Sequence, residues 1–288
     1  MAGAGPACSA VGRTAPPGAG LAGFLDLTAA PAAGGRTVLA RQALCAPFHL
    51  SKPYWDGRVL HAQVVNATAG ILAGDRLELT ARVAAGAALR LTTPAATRAY
   101  MMAAGTAQCR QTFLVEAGGW LEYAPEPLVP HRDSDYAQHT RIEVAAGGDV
   151  CWVDALAPGR VGRGETWAWR RLQLTLAVNV GNEPVLREHL DCPGAELARI
   201  AAFHGTPDAW LATVLVLTAR PLDDPGLWTR LRARHGGGSW LGVTRLRRGG
   251  RIVRVIAPDG QTLRDHLAEI RRTLAEALPF LRAETRRI

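Results

Sequence analysis

Eight acidic side chains in the first two thirds of the chain could bind a metal ion through oxygen. They lie near glycines or prolines, in segments typical of turns and strand ends, and they are Asp75, Glu122, Glu126, Asp133, Asp135, Asp154, Glu165 and Glu183. Carboxylate oxygens suit a divalent ion that is passed on rather than stored. The alternative for each residue is a solvated loop carboxylate or the partner of an arginine.

The sequence carries no pattern for a permanent metal site or for a nucleophilic enzyme. Ligands of a permanent site usually come in closely spaced pairs, because one element then carries two of them. The two nearest histidines, His131 and His139, are eight residues apart, and there is no GxSxG or HExxH pattern. These patterns therefore favour neither a hydrolase nor a permanently bound metal cofactor.

The cysteines are odd in number and far apart. They are Cys8, Cys45, Cys109, Cys151 and Cys192, and no two of them form a CxxC pair. This spacing argues against a disulfide framework and a structural zinc site, and it is typical of a protein of the reducing cytoplasm. Residues 1–20 lack the apolar core of a signal peptide, so we interpret them as a flexible tail. No apolar run reaches the length of a membrane span, so we expect no membrane partner.

The stretch NATAGILAGD, residues 66–75, shares its glycines with phosphate-binding loops but not their other features. A P-loop ends in GK[ST], and a Rossmann loop places three glycines ahead of a helix. Here no lysine is present, and the alternation in the following RLELTARV predicts a strand, so no helix N-terminus is available to an anion. Asp75 stays open, because it could close the turn through backbone hydrogen bonds or offer an oxygen to a metal path.

Positive charge is carried almost wholly by arginine. Lys52 is the only lysine among 33 basic residues, and the formal net charge is +8. Five arginines cluster in the segment TRLRRGGRIVR, at Arg245, Arg247, Arg248, Arg251 and Arg254. The cluster would suit a nucleic-acid backbone. The chain lacks interleaved aromatic residues and a helix-turn-helix signature, so an arginine-rich protein-binding edge is at least as good an alternative, and we expect no nucleic-acid partner.

One pattern occurs three times, beginning at Val83, Val115 and Val144. Each copy has an apolar residue at a strand end, an Ala-Gly corner and then alternating apolar positions that run towards a proline. The copies are offset by 32 and 29 residues, a spacing that indicates stacked or solenoid-like architecture. We expect a mainly β body over residues 21–192 with the glycine corners along one edge. The alternative is a β-sandwich whose hairpins reuse a common turn.

The pattern changes after about residue 190. WLATVLVLTAR predicts a buried strand, and DPGLWTRLRARHGGG has proline at a helix start and glycines after its end. A hairpin that turns at residues 249–250 follows. The last segment places its apolar residues on one helical face, at Leu263, Leu267, Ile270, Leu274 and Leu278. We expect a smaller α+β lobe over residues 193–288, packed on the body.

Several segments, in order along the chain, resemble the UreD (UreH) family of urease accessory proteins. They are GGRTVLARQ (34–42), AGILAGD (69–75), LTTPAATRAY (91–100), GGWLEYAPEPLVP (118–130), DALAPGRVGRGE (154–165) and NEPVLREHL (182–190). The chain departs from the family where Asn66-Ala67-Thr68 replaces His-Pro-Pro, and where Met101-Met102 replaces Arg-Ser. The C-terminal lobe adds little to the resemblance.

The resemblance implies a cytoplasmic, non-enzymatic protein with a β-helix-like stack of sheets. It implies binding to UreF, through UreF to the GTPase UreG, and delivery of nickel to apo-urease along an internal polar path. Asp154 matches an acidic position of the family, ahead of Gly159 and Arg160. Asp75, Glu165 and Glu183 are further candidates, either as polar lining or as ion-pair partners of Arg160 and Arg98. We interpret Gly70, Gly74, Gly86, Gly118, Gly147 and Gly159 as backbone positions without chemistry.

Overall fold

The computed structural model describes residues 20–220, 222 and 224–282, so that the tail predicted for residues 1–20 lies outside it except for residue 20. The first ten strands are β1 (Ala22–Pro31), β2 (Thr37–Cys45), β3 (Phe48–Leu50), β4 (Tyr54–Asp56), β5 (Val59–Asn66), β6 (Arg76–Val83), β7 (Ala88–Thr92), β8 (Thr97–Ala99), β9 (Ala107–Val115) and β10 (Trp120–Ala124). The next ten are β11 (Leu128–Pro130), β12 (Asp135–Val144), β13 (Asp149–Leu156), β14 (Gly159–Arg160), β15 (Glu165–Thr166), β16 (Arg171–Val180), β17 (Glu183–Cys192), β18 (Trp210–Leu217), β19 (Trp240–Arg245) and β20 (Arg251–Ala257). The mainly β prediction is confirmed.

Two large sheets stack on each other, and the chain alternates between them. The strands β4, β8 and β11 belong to the larger sheet without lying on its main path, and β14 and β15 form a separate two-stranded sheet. Sheet I has the order β17-β16-β12-β9-β6-β1-β2, and sheet II has the order β19-β20-β18-β13-β10-β7-β5-β3. The central strands of each sheet are parallel, since the chain returns to a sheet in the same direction after each coil. Antiparallel strands lie at the ends of both sheets. This is the β-helix-like stack that the sequence predicts.

The glycine corners connect sheet I to sheet II and stack on one another. Gly118 N–H donates to Gly147 O at 2.9 Å, and Gly86 N–H donates to Gly118 O at 3.2 Å. All three glycines have φ between 73° and 87°, a region in which a side chain is strained. The corners therefore form one edge of the stack, as expected.

The alternating apolar positions meet in register across sheet II. Leu121 lies opposite Leu89 on one side and Val150 on the other, and Tyr123 lies between Leu91 and Trp152 in the same way. These side chains are buried between the two sheets, because the period of two sends them all to one face. The core is therefore built from aligned positions of the three repeats.

Strands after residue 192 continue sheet II. β18 pairs with β13 and β20, and β19 forms the edge. Three helices accompany them: α1 (Gly194–Phe203), α2 (Pro225–Arg232) and α3 (Gly260–Leu274). The predicted strand, α2, hairpin and α3 are all present. Helix α1 was not predicted, and it begins after Pro193 without a side-chain cap. The division of the chain at residue 192 stays a prediction.

The outer face of sheet II is covered by α2 and α3. Asp259 caps α3 by accepting a hydrogen bond from Thr262 N–H at 2.7 Å. Leu263, Ile270 and Leu274 are buried against Trp120 and Cys151 of the sheet. Sheet II is therefore buried on both faces, which explains why its strands carry few exposed residues.

Three cysteines, Cys109, Cys151 and Cys192, are buried free thiols, whereas Cys45 is disulfide-bonded, which the spacing did not predict. Burial raises the pKa of Cys109 to about 11 and that of Cys151 to about 12. Both thiols are thus protonated at neutral pH and are poor metal ligands. Within the described ranges, no helix is long and apolar enough to cross a membrane.

Candidate functional site

A cavity of about 700 Å³ lies between the two sheets, near their C-terminal strands. Its walls come from β12, β16 and β17 of sheet I and from β13, β18 and β20 of sheet II. Apolar side chains such as Trp152 and Leu211 share the lining with nine polar or charged residues. These are Gln138, Thr140, Asp154, Thr175, Arg187, Glu188, His189, Thr213 and Arg254. Charged residues that face such a cavity are candidates for binding a ligand or an ion.

Asp154 faces this cavity because β13 alternates. Val150, Trp152, Asp154 and Leu156 are four successive members of its inward-facing set, and the outward-facing Cys151 and Ala155 pack under the helices instead. The Asp154 carboxylate accepts a hydrogen bond from the Ala155 backbone N–H, and among the described residues no side chain donates to it. The strand thus presents a carboxylate without a side-chain partner to the interior.

Burial raises the pKa of Asp154 to about 6, and the nearby Glu188 carboxylate adds to the rise. Desolvation penalises the charged form, and a second negative charge does the same. At neutral pH the Asp154 carboxylate is ionised, and its burial in the charged form lowers the stability of the folded protein. A cation that enters the cavity would offset that cost, so the position favours a transient positive ligand.

Glu188, which was not among the candidates from the sequence, is the second carboxylate of the cavity. It lies on β17 opposite Leu176 and forms an ion pair with Arg254 of β20. The alternation of β17 in the sequence could have indicated Glu188, because it places this residue on the same face as Leu186 and Leu190, which also line the cavity. The pairing itself was not predictable, because it joins residues 66 positions apart in different sheets.

A cluster of hydrogen-bonded polar side chains extends from the cavity into the core. Gln111 donates to Tyr123 Oη at 3.3 Å and accepts from Thr140 Oγ1 at 3.1 Å. Tyr136 Oη donates to Gln138 at 3.1 Å. Burial raises the pKa of both tyrosines, with Asp154 a further cause. Polar side chains therefore continue inward from Asp154, which no motif had indicated.

Asp75 closes its turn with both carboxylate oxygens. Oδ1 accepts from Leu21 N–H and Oδ2 accepts from Leu72 N–H, each at 2.8 Å. The side chain is buried at the start of β6 and is not among the residues that line the cavity. Of the two roles left open by the sequence, the geometry favours the structural one, since both oxygens already accept hydrogen bonds.

Gly70 brings the same turn against β8. Arg98 takes part through its carbonyl, which accepts from Ile71 N–H at 2.7 Å, while its side chain is exposed. A Cβ on Gly70 would lie 2.5 Å from Arg98 O and 2.7 Å from Tyr100 Cε2. Gly74 at the end of the turn has φ 83°, and Gly159 of β14 has φ 124°. A side chain at these glycines would be strained or would clash with its neighbours.

We expect Gly70→Ala to destabilise the protein by about 1–3 kcal/mol, the usual range for overpacking at a close contact. The neighbours are a carbonyl and a ring held in the stack, so the strain cannot relax cheaply. Gly242→Ala is the matched control, because no atom lies within 4 Å of a Cβ there. Urea unfolding of both variants measures the difference, and equal midpoints would show that the contact at Gly70 is soft.

Glu165 and Glu183 are both ion-paired. Arg160 Nε and Nη2 donate to the Glu165 carboxylate at 2.9 and 2.7 Å across the β14–β15 pair, which matches the pairing suggested from the sequence. Glu183 pairs with Arg248 instead, and not with Arg160 or Arg98. Neither carboxylate lines the cavity. The structure therefore does not bring Asp75, Glu165 and Glu183 together with Asp154.

The remaining acidic candidates are also placed away from the cavity. Glu122 is buried under α3 with Arg90 and Arg271, and Asp135 pairs with Arg170. Glu126 and Asp133 are exposed. Among the described residues, no group of three or more His, Cys, Asp or Glu is arranged to hold a metal ion.

The arginine-rich hairpin is not a continuous free surface. Arg248 and Arg254 pair with Glu183 and Glu188 of β17. Arg251 is buried, with its guanidinium carbon 5.4 Å from the centre of the Trp228 ring. Arg248 and Arg254 thus tie the hairpin to sheet I. Four of the five arginines, Arg245, Arg247, Arg248 and Arg254, have exposed side chains, and Arg251 is buried.

Comparison with known proteins gives consistent matches over most of the chain. The family model described as UreD urease accessory protein matches residues 22–288. The urease accessory protein UreD of Opitutus terrae is 49% identical over 269 residues, which cover 93% of this chain and 99% of the relative. That of Alkalilimnicola ehrlichii is 32% identical over 246 residues, covering 84% and 83%. The matches span both sheets, the cavity and the helices.

Proposed function

The chain belongs to the UreD urease accessory protein family, and on this premise we propose that it is a cytoplasmic, non-catalytic scaffold that helps to load nickel into apo-urease. Its partners in this role are UreF, the GTPase UreG reached through UreF, and the urease subunits. Nickel is the cargo and is bound only in passing. The family resemblance supplies these partners.

One observation carries the nickel part of the proposal: Asp154 presents a carboxylate without a side-chain partner to a cavity between the sheets. Glu188 lies at the same cavity, and the interior polar group adjoins Asp154. Oxygen ligands hold Ni²⁺ less tightly than thiolate or imidazole clusters do, so they release it more readily. A transfer path needs that balance. We assign the path to Asp154 and Glu188, and Asp75, Glu165 and Glu183 remain weaker candidates.

Exposed apolar side chains support a protein-binding role. Phe203 at the end of α1 is 88% exposed, and Ile200 and Trp240 beside it are also exposed. Met101 is 63% exposed, and Leu72 is 51% exposed. Large exposed apolar residues often mark contact surfaces. A nucleic-acid-binding module is the weaker alternative, because Arg248, Arg251 and Arg254 already have partners within the protein.

The test is co-expression with the urease operon proteins. We expect the chain to copurify with UreF, and its deletion to leave urease that is synthesised and assembled but poor in nickel. Nickel per active site is measured by plasma mass spectrometry on the purified urease. Fully metallated, active urease from the deletion strain would reject the proposal. A urease subunit deletion serves as the control for copurification, since UreF binding should survive it.

A further inference from the structure

The ion pair between Arg254 and Glu188 spans the two sheets at the cavity. Glu188 comes from β17 at the end of sheet I, and Arg254 comes from β20 of sheet II. Both side chains line the cavity, and both retain contact with solvent: the Arg254 side chain is 56% exposed and that of Glu188 is 23% exposed. The pair therefore lies at the mouth of the cavity rather than in its depth.

The register of sheet II places Arg254 in line with Asp154. Asp154 lies opposite Thr213 of β18, and Thr213 lies opposite Arg254 of β20. Neighbouring strands are about 4.8 Å apart, so the two backbones are separated by roughly 10 Å. All three side chains face the cavity. A straight row thus leads from the guanidinium at the mouth, past Thr213, to the inner carboxylate.

The guanidinium occupies the place that a metal cation would need. Glu188 is an oxygen ligand at the mouth, and its carboxylate is engaged by Arg254. A divalent ion that approaches along this row meets a positive charge first, and it gains the Glu188 carboxylate only when Arg254 leaves. Partly exposed ion pairs of long side chains are weak and open easily. The pair can therefore open without unfolding any strand.

We propose that Arg254 is a latch, which holds Glu188 and closes the cavity to divalent cations until the ion pair is opened. The proposal rests on the proposed function, in which nickel passes through this cavity. The proposal adds a regulatory element to that function, because the Arg254 guanidinium is a cation of the chain itself that a metal ion can replace at the entrance of the cavity. Opening the pair exposes two carboxylates, Glu188 and Asp154, along one row. The nickel ion and the Arg254 guanidinium then compete for the oxygen atoms of the Glu188 carboxylate.

The chain offers a matched control in the second inter-sheet pair. Arg248 and Glu183 also join the β19–β20 hairpin to β17, and both of their side chains are more than half exposed. Neither residue lines the cavity. Arg248→Met therefore removes the same charge and frees one carboxylate, as Arg254→Met does, but away from the row that leads to Asp154.

The experiment measures Ni²⁺ binding to the purified full-length protein by isothermal titration calorimetry. We expect Arg254→Met to bind Ni²⁺ roughly twofold to fivefold more tightly than the parent, because a weak competing ion pair is removed. Arg254→Lys, which keeps the charge, should resemble the parent, and so should Arg248→Met. Thermal unfolding of each variant reports whether it is folded.

The latch is overturned if Arg254→Met binds Ni²⁺ no better than the parent, or if Arg248→Met gains as much. Arg254→Gln provides a second neutral variant in case the methionine variant does not fold. The proposed function has a separate readout, the nickel content of urease in cells that carry Asp154→Asn. If Arg254→Met binds Ni²⁺ as the parent does while Asp154→Asn impairs nickel loading, the latch alone is rejected. If nickel loading is normal in the Asp154→Asn cells, the path itself is rejected.

Discussion

Replacing Asp154 with asparagine is expected to lower nickel loading of urease and, at the same time, to stabilise the isolated protein at neutral pH. Groups that merely support a metal ligand cost roughly tenfold or more in affinity when they are removed, so the loss of a direct ligand should cost at least as much. The amide that replaces the carboxylate keeps the shape of the side chain but not its charge. The measurement is nickel per urease active site in cells with this single change.

The gain in stability follows from the pKa of Asp154. Burial raises this pKa to about 6 in the folded state, so the folded protein holds more protons than the unfolded chain between about pH 4 and pH 6. Stability therefore falls as the pH rises through that window, and the full penalty is present above it. A shift of about two pKa units corresponds to roughly 2–3 kcal/mol at most, and hydration from the cavity side reduces it.

Urea unfolding of parent and Asp154→Asn at pH 4 and pH 7.5 tests this expectation. The variant should gain stability relative to the parent at the higher pH and lose that advantage at the lower one. Asp75→Asn is the matched control, because the same chemical change there leaves one oxygen acceptor for two backbone N–H groups and places an NH₂ group against the other, which should destabilise. A stabilised Asp154→Asn protein that still loads nickel normally would exclude Asp154 from the path.

Replacing Glu122 with glutamine is expected to give the largest loss of stability, about 3–5 kcal/mol, the range for breaking a buried ion pair. Glu122 is only 2% exposed and lies between two arginines. Its carboxylate accepts from Arg271 Nε at 2.7 Å and from Arg271 Nη2 at 3.1 Å, and it lies 3.3 Å from Arg90 Nε. The variant would leave two guanidinium groups beside a neutral amide in a poorly solvated place.

Two neighbours of this cluster, His61 and Cys151, carry no negative charge at neutral pH. His61 lies opposite Arg90 on β5, and burial together with Arg90 lowers its pKa to about 4, so it is neutral at pH 7. Cys151 lies opposite Glu122 on β13 and is protonated. Glu122 is the link between α3 and sheet II through Arg271, so we expect α3 to lose protection first when the carboxylate is removed.

Hydrogen exchange and urea unfolding measure both effects. The control is Glu183→Gln, which removes the carboxylate of an exposed pair and should change the unfolding midpoint little. The double variant with Arg90→Gln should recover part of the loss, because it removes one of the two facing positive charges. An unfolding midpoint for Glu122→Gln equal to that of Glu183→Gln would mean that the cluster does not hold α3 to the sheet.

The sequence by itself determined the local features of this protein. The period of two in the three repeats identifies the strands and their buried positions, since alternation is a property of each strand alone. Glycine at Gly86, Gly118 and Gly147 marks the corners, because the φ values there exclude most side chains. The family resemblance, which rests on short segments, was also readable and is confirmed over residues 22–288.

Only the tertiary structure decided which charged groups meet when they lie far apart in the sequence. Asp154 became a candidate from a motif, but its cavity exists only because strands of sheet I lie over β13 and β18. Glu122 pairs with Arg271 across 149 positions, and Glu188 pairs with Arg254 across 66. Such pairings depend on the stacking of coils and on the side of the sheet that each helix covers. The spacing of residues in the sequence does not reveal these pairings, because an ion pair requires only that the two side chains lie close together in the folded protein.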